Sequence, residues 1–95
     1  MEPVKHPKGW GYELWIANNE KYCGKILHFN KGKRCSYHYH KLKQETFYVE
    51  SGKIKVLYGH GSIEDAKVKV MLPGDSLDVP IGLIHQIIAI EESKV

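Results

Sequence analysis

A chain of 95 residues, 42% hydrophobic and 11% aromatic, has room for one compact domain and enough apolar content to fold rather than stay disordered. The 14 Lys plus Arg against 11 Asp plus Glu leave a formal charge of only +3, which argues against a polybasic nucleic-acid or membrane-surface protein. No apolar run approaches the ~20 residues of a membrane span, and the opening Met1-Glu2-Pro3-Val4-Lys5 lacks the apolar region of a signal peptide, so we expect a cytoplasmic protein.

The dominant hydrophobic period along the chain is two. Residues 22–29, 34–40, 45–50, 53–58, 67–72, 76–79 and 85–90 read as short strands. Turns containing Asn30-Lys31-Gly32, Ser51-Gly52, Gly59-His60-Gly61, Pro73-Gly74-Asp75 and Pro80-Ile81-Gly82 separate them. Residues 63–66 allow at most one helical turn, and no segment carries a 3.6-residue apolar stripe. Many short strands at regular spacing specify an all-β sandwich or barrel, and we expect one domain over residues 1–95. Gly32, Gly52 and Gly74 fall where the chain reverses, at positions that call for positive φ. Cys23 and Cys35 are too far apart in sequence for a metal knuckle, and we expect two buried free thiols. Most lysines alternate with apolar residues or sit at turns, as on the solvated face of a sheet.

Strand parity assigns side chains to faces. Ser36, His38 and His40 share one face; Cys35, Tyr37 and Tyr39 share the other. Glu45, Phe47 and Val49 share the inward face of their strand. On the last strand His85, Ile87 and Ala89 alternate with Ile84, Gln86, Ile88 and Ile90, so both faces are apolar. The outward Ile84, Ile88 and Ile90, with Tyr37 and Tyr39, need cover, and we expect a homodimer.

Six histidines are the unusual feature of the composition. His38 and His40 are two apart, Glu45 opens the following strand, and Pro80 and Gly82 fix the approach of His85. Imidazole nitrogens with one carboxylate suit a borderline divalent metal (Zn, Fe, Mn, Ni or Co) and leave coordination positions open for chemistry. In isolation, His38 and His40 also read as ordinary strand histidines satisfied by backbone or solvent. His6 and His60 are expected to face solvent.

The surrounding spacing separates these readings. Five residues lead from Gly32 to His38, one to His40, four to Glu45 and six to Gly52; five lead from Gly74 to Pro80, one to Gly82 and two to His85. These segments, 32–52 and 74–89, resemble the two motifs of the cupin superfamily, with Ala89 where many members carry Asn. The resemblance implies a double-stranded β-helix, a small antiparallel jelly-roll-like barrel, with His38, His40, Glu45 and His85 as metal ligands inside one end.

A narrower resemblance lies outside those motifs. Lys8-Gly9-Trp10-Gly11-Tyr12-Glu13 is similar to the Lys/Arg-Pro-Trp-Gly-x-Tyr-Glu opening of the cupin domain of type II mannose-6-phosphate isomerases, often fused to mannose-1-phosphate guanylyltransferase. Gly9 stands in place of Pro, and His38 in place of that family's Gln. This resemblance implies a small-molecule substrate of the sugar-phosphate class and metal-dependent aldose–ketose isomerisation. Glu45 would alternate between ligand and base, and Lys25 is a candidate for the phosphate, with a solvated strand lysine as its alternative. The ligand set also suits an Fe(II) dioxygenase or a non-catalytic metal- or sugar-binding module. His28 is a second candidate base, with a surface or turn role as its alternative. Trp10 and Tyr12 either wall the pocket or, as we favour, pack the N-terminal segment.

Overall fold

The computed structural model describes residues 2–95. Nine strands run in chain order: β1 (Val4–Lys8), β2 (Gly11–Asn18), β3 (Cys23–Phe29), β4 (Glu45–Tyr48), β5 (Ile54–Gly59), β6 (Lys67–Met71), β7 (Ser76–Val79), β8 (Ile84–Ala89) and β9 (Ser93–Lys94). One 3-10 turn, Ile63–Asp65, is the only helical element among the described residues, as the single turn expected there allows. No described helix is long and apolar enough to cross a membrane.

The strands form sheets ordered β1-β2-β3-β9, β4-β7 and β6-β5-β8, and every pairing is antiparallel. Alternation places Phe29, Phe47, Val49, Ile54, Val56, Met71, Val79 and Ile87 in one core between the sheets. Phe47 and Val49 point inward beside a half-buried Glu45, as their parity requires. Gly32, Gly52 and Gly74 adopt φ of 78°, 87° and 93°, the left-handed conformation that glycine alone adopts without strain. Gly52 has a second constraint: a Cβ there would strike the Glu92 carbonyl and Ser93, which begins β9.

Four expectations are corrected. First, the β1–β2 hairpin precedes the first strand read from the sequence. Its alternation is obscured by Pro3, Pro7 and two glycines; Pro7 is tolerated because β1 is an edge strand. Second, residues 34–40 are not a regular strand. They touch β8 through isolated bridges, Arg34 with Ile88 and His38 with His85. Between these the register slips by one residue, and side chains replace ladder bonds: Gln86 Nε2 donates to the Cys35 carbonyl at 2.7 Å, and Ile87 N–H to Cys35 Sγ at 3.3 Å.

Third, Cys23 is exposed at the start of β3, whereas Cys35 is partly buried; both are free. Fourth, Ile88, read as outward and in need of cover, is only 7% exposed, and Ile84 and Ile90 are half-buried within the single chain. His6 is also half-buried, its ring centroid 3.9 Å from that of Trp15, while His60 is exposed as expected.

Candidate metal centre

The three imidazoles of His38, His40 and His85 converge, with one nitrogen from each lying within 4.8 Å of the others. Their approach is built from backbone. His38 and His85 are directly opposed across the bridge and exchange both backbone bonds, 3.0 and 2.8 Å. The chain then turns at Pro80-Ile81-Gly82, where the Gly82 N–H donates to the His40 carbonyl at 3.0 Å. The turn expected to present His85 is thereby tied to the His38–His40 segment.

Glu45, the first residue of β4, completes the cluster. Its Oε1 lies 3.2 Å from His40 Nε2 and its Oε2 3.4 Å from His85 Nε2. The second contact is not directed as a hydrogen bond, and Oε2 is a buried acceptor without a donor. Burial grades across the site: the His85 side chain is 2% exposed, Glu45 33% and His40 38%. The cluster is therefore closed on the β8 side and accessible on the His40–Glu45 side.

Hydrogen bonds select the imidazole tautomers. His38 Nδ1 lies 2.9 Å from the Ser36 carbonyl, and His85 Nδ1 2.9 Å from the Leu83 carbonyl. A carbonyl only accepts, so each Nδ1 carries the proton and, in the neutral ring, each Nε2 presents its lone pair. This is the orientation in which metal-binding histidines are held by backbone partners. The electrostatics agree with close packing of these groups. Burial raises the Glu45 carboxyl pKa, but contact with His85 and the charges of His40, His85 and His38 outweigh it and hold the group below its ordinary range. Burial lowers His85, but Glu45 and the Leu83 carbonyl outweigh it and leave the imidazole above its ordinary value. His40 is lowered, chiefly by burial and also by His38, His85 and Lys25, against the pull of Glu45.

The donor set fits a divalent cation. Three imidazole nitrogens and a carboxylate with an orphaned oxygen match the ligand chemistry of Zn, Fe, Mn, Co or Ni.

Lys25 lies on the inward face of β3 with Leu27 and Phe29, its Nζ 3.9 Å from Glu13 Oε1 and 4.5 Å from the centre of the Trp15 ring. Glu13 also accepts from Trp15 Nε1 at 2.8 Å. The motif reading singled out Trp10 and Tyr12 and missed Trp15, although parity with Glu13 on β2 places them on one face. Trp10 stacks on Phe29 at 4.2 Å between ring centroids, the packing role favoured for it. Tyr12 lies on the opposite face of β2 from Glu13, stacked on His28 at 4.9 Å. His28 also contacts Glu92 through Nε2 at 3.0 Å. It shares the outward face of the sheet with Tyr12, away from the imidazole cluster, and cannot serve there as a base.

Residues 25–95 match the cupin domain family, and the chain belongs to it. Solved structures agree on the fold. The capsular polysaccharide assembling protein CapF from Staphylococcus aureus superposes with a TM-score of 0.83 at 18% identity, over 99% of this chain and 27% of CapF. The Drosophila melanogaster CENP-C cupin domain gives 0.82 at 17% identity, over 98% of this chain and 71% of that one. An oxalate decarboxylase from B. subtilis gives 0.82 at 20% identity, over 98% of this chain and 26% of the enzyme. The chain thus spans about a quarter of the length of CapF and of the decarboxylase. A search among curated proteins finds no match.

Proposed function

We propose that the protein is a metal-dependent enzyme acting on a small sugar phosphate by aldose–ketose isomerisation, with His38, His40, His85 and Glu45 holding one divalent ion. The observation that carries the metal half is the pair of backbone-fixed tautomers beside the orphaned Glu45 oxygen. A bound ion would supply Lewis acidity toward the carbonyl and adjacent hydroxyl of the sugar.

The remaining roles belong to the chain's own residues. Lys25 supports the substrate assignment: it is an accessible cation on the inward face of β3, held by a long contact to Glu13 and by the Trp15 ring. A phosphate dianion would compete well for it. Glu45, 33% exposed toward the opening, would alternate between holding the ion and taking the proton from the reacting carbon, returning it to the neighbouring carbon. The buried wall of Phe47, Leu83 and His85 limits water on the side opposite the opening.

Metal analysis of protein purified without added metal, followed by mannose-6-phosphate and fructose-6-phosphate turnover with and without chelator, tests the reading. We expect one equivalent of metal and chelator-sensitive interconversion. Fully metallated protein inert toward every hexose phosphate would remove the isomerase assignment, and protein that takes up no divalent ion would remove the metal assignment.

A further inference from the structure

The second strand carries an inward carboxylate that the metal centre does not use. β2 is bonded along both edges, to β1 and to β3, and its register fixes which side chains enter the barrel. Gly11 lies opposite the fully buried Phe29. By parity Glu13, opposite Leu27, and Trp15, opposite Lys25, share that inward face. Lys25 and Glu45 line one cavity, so this face and the imidazole cluster border the same space.

The surroundings of Glu13 are incomplete. Its side chain is only 17% exposed, yet it has a single directed hydrogen bond: Oε1 accepts from Trp15 Nε1 at 2.8 Å. Lys25 Nζ stands 3.9 Å from the same oxygen, beyond hydrogen-bond reach, and leans over the Trp15 ring at 4.5 Å. Oε2 accepts nothing among the described residues and, unlike the orphaned Glu45 oxygen, is not sealed in. A carboxylate has about four acceptor positions, and leaving them unfilled in a withdrawn site is costly.

Trp15 fixes the group in place. The indole is held by the His6 ring, 3.9 Å away between centroids, and by Lys25, and His6 lies directly opposite Glu13 across the β1–β2 pair. A structural ion pair does not account for Glu13, because the contact with Lys25 is long. Nor is β2 an edge strand, where an inward charge would serve to block pairing.

We propose that Glu13 is a specificity-determining residue of the substrate pocket, its open oxygen accepting a hydroxyl close to the phosphate that Lys25 takes. Trp15 is the positioning residue that holds the carboxylate for this contact. The inference rests on the sugar-phosphate reading and narrows it to phosphate esters with a hydroxyl near the phosphorylated carbon. An ester without that hydroxyl leaves Oε2 unpaired and meets only its negative charge.

The test measures binding rather than turnover, by calorimetry on zinc-supplemented protein. One probe is glucitol 6-phosphate, which has hydroxyls but no carbonyl to isomerise; the other is butyl phosphate, which has neither. We expect the wild type to bind glucitol 6-phosphate about tenfold or more tightly than butyl phosphate, the worth of one charge-assisted hydrogen bond. Glu13→Gln should weaken glucitol 6-phosphate and leave butyl phosphate unchanged or tighter, whereas lost packing would weaken both alike. Trp15→Phe, which keeps a ring and removes the N–H, should lower the ratio in the same direction; an unchanged ratio there removes the positioning role. A ratio near one in the wild type, or a ratio that Glu13→Gln leaves unchanged, overturns the assignment of Glu13. The expected ratios without any mannose-6-phosphate isomerisation remove the isomerase reading and leave Glu13 assigned. Binding of neither ester removes both.

Discussion

Replacing His40 by alanine is the sharpest probe of the metal centre, because its side chain is 38% exposed and its removal leaves little cavity. His85, 2% exposed and bonded to the Leu83 carbonyl, is a poorer choice, since its loss disrupts the core as well as the site. Metal that binds only the folded chain stabilises it by RT ln(1 + [L]/Kd), about 2.7 kcal/mol at a hundredfold excess over Kd. In a domain of this size each kcal/mol shifts Tm by about 4–8 °C, so the intact protein gains about 11–22 °C at that excess. Losing partners outside the ligand shell already weakens metal binding by about 10–100-fold, so losing a ligand removes at least about 100-fold and most of that gain. The assay is thermal unfolding of wild type and His40→Ala, each with chelator and then with zinc, manganese or nickel. With chelator the two should melt within a few degrees; with metal only the wild type should rise. A wild-type Tm indifferent to every divalent ion, or a variant that keeps the full shift, refutes the assignment of His40 as a ligand.

Other outcomes follow from features already described. Gly52→Ala should destabilise more than Gly32→Ala: both have positive φ, costing about 1–2 kcal/mol for a side chain, but only at Gly52 does a Cβ meet backbone, while at Gly32 nothing lies within 4 Å. Equal denaturation midpoints for the two variants would contradict the close approach of β9. Burial pushes the Cys35 thiol pKa up, with smaller opposing bonds to backbone, whereas Cys23 is exposed. A disulfide reagent at neutral pH should therefore titrate one thiol quickly in native protein and two after denaturation, the fast phase vanishing in Cys23→Ser.

The pH dependence has two parts. In metal-free protein the raised His85 contributes stability that is present below its unfolded value of 6.5 and is lost as pH rises through its folded one. The lowered Glu45 contributes stability that is present above 4.5 and is lost as pH falls through its folded value. Their joint contribution is fullest between those two unfolded values. Metal must displace the His85 proton, so the metal-induced Tm rise should be larger at pH 8 than at pH 5.5; the reverse order would be incompatible with ligation by His85.

The ligand region was legible because period-two parity and turn residues act locally. Glycines at 32, 52 and 74 marked reversals that do adopt positive φ, and the 38/40 pair with Glu45 and His85 did converge. What escaped was set by long-range contacts. The irregular stretch 34–40 arises from Cys35 and Gln86 side chains standing in for a ladder, a substitution that depends on which strand lies opposite. The β1–β2 hairpin was hidden by prolines that an edge strand accepts, and edge position is a property of the whole sheet. Burial of Ile88 within the chain likewise depends on the tertiary fold rather than on its neighbours in sequence.

The bridge between His38 and His85 has a consequence for metal selection. Two nitrogen donors sit on residues locked opposite each other by a reciprocal pair of backbone bonds, and each ring is pinned again at Nδ1. An ion that required a different separation of these rings would have to break the bridge or the Nδ1 bonds. With a metal bound, this half of the proposed site would act as a rigid chelate whose ordering entropy is lost at folding rather than at loading. His40 and Glu45, more exposed, would form the compliant half, where differences in ionic radius and coordination number would be absorbed.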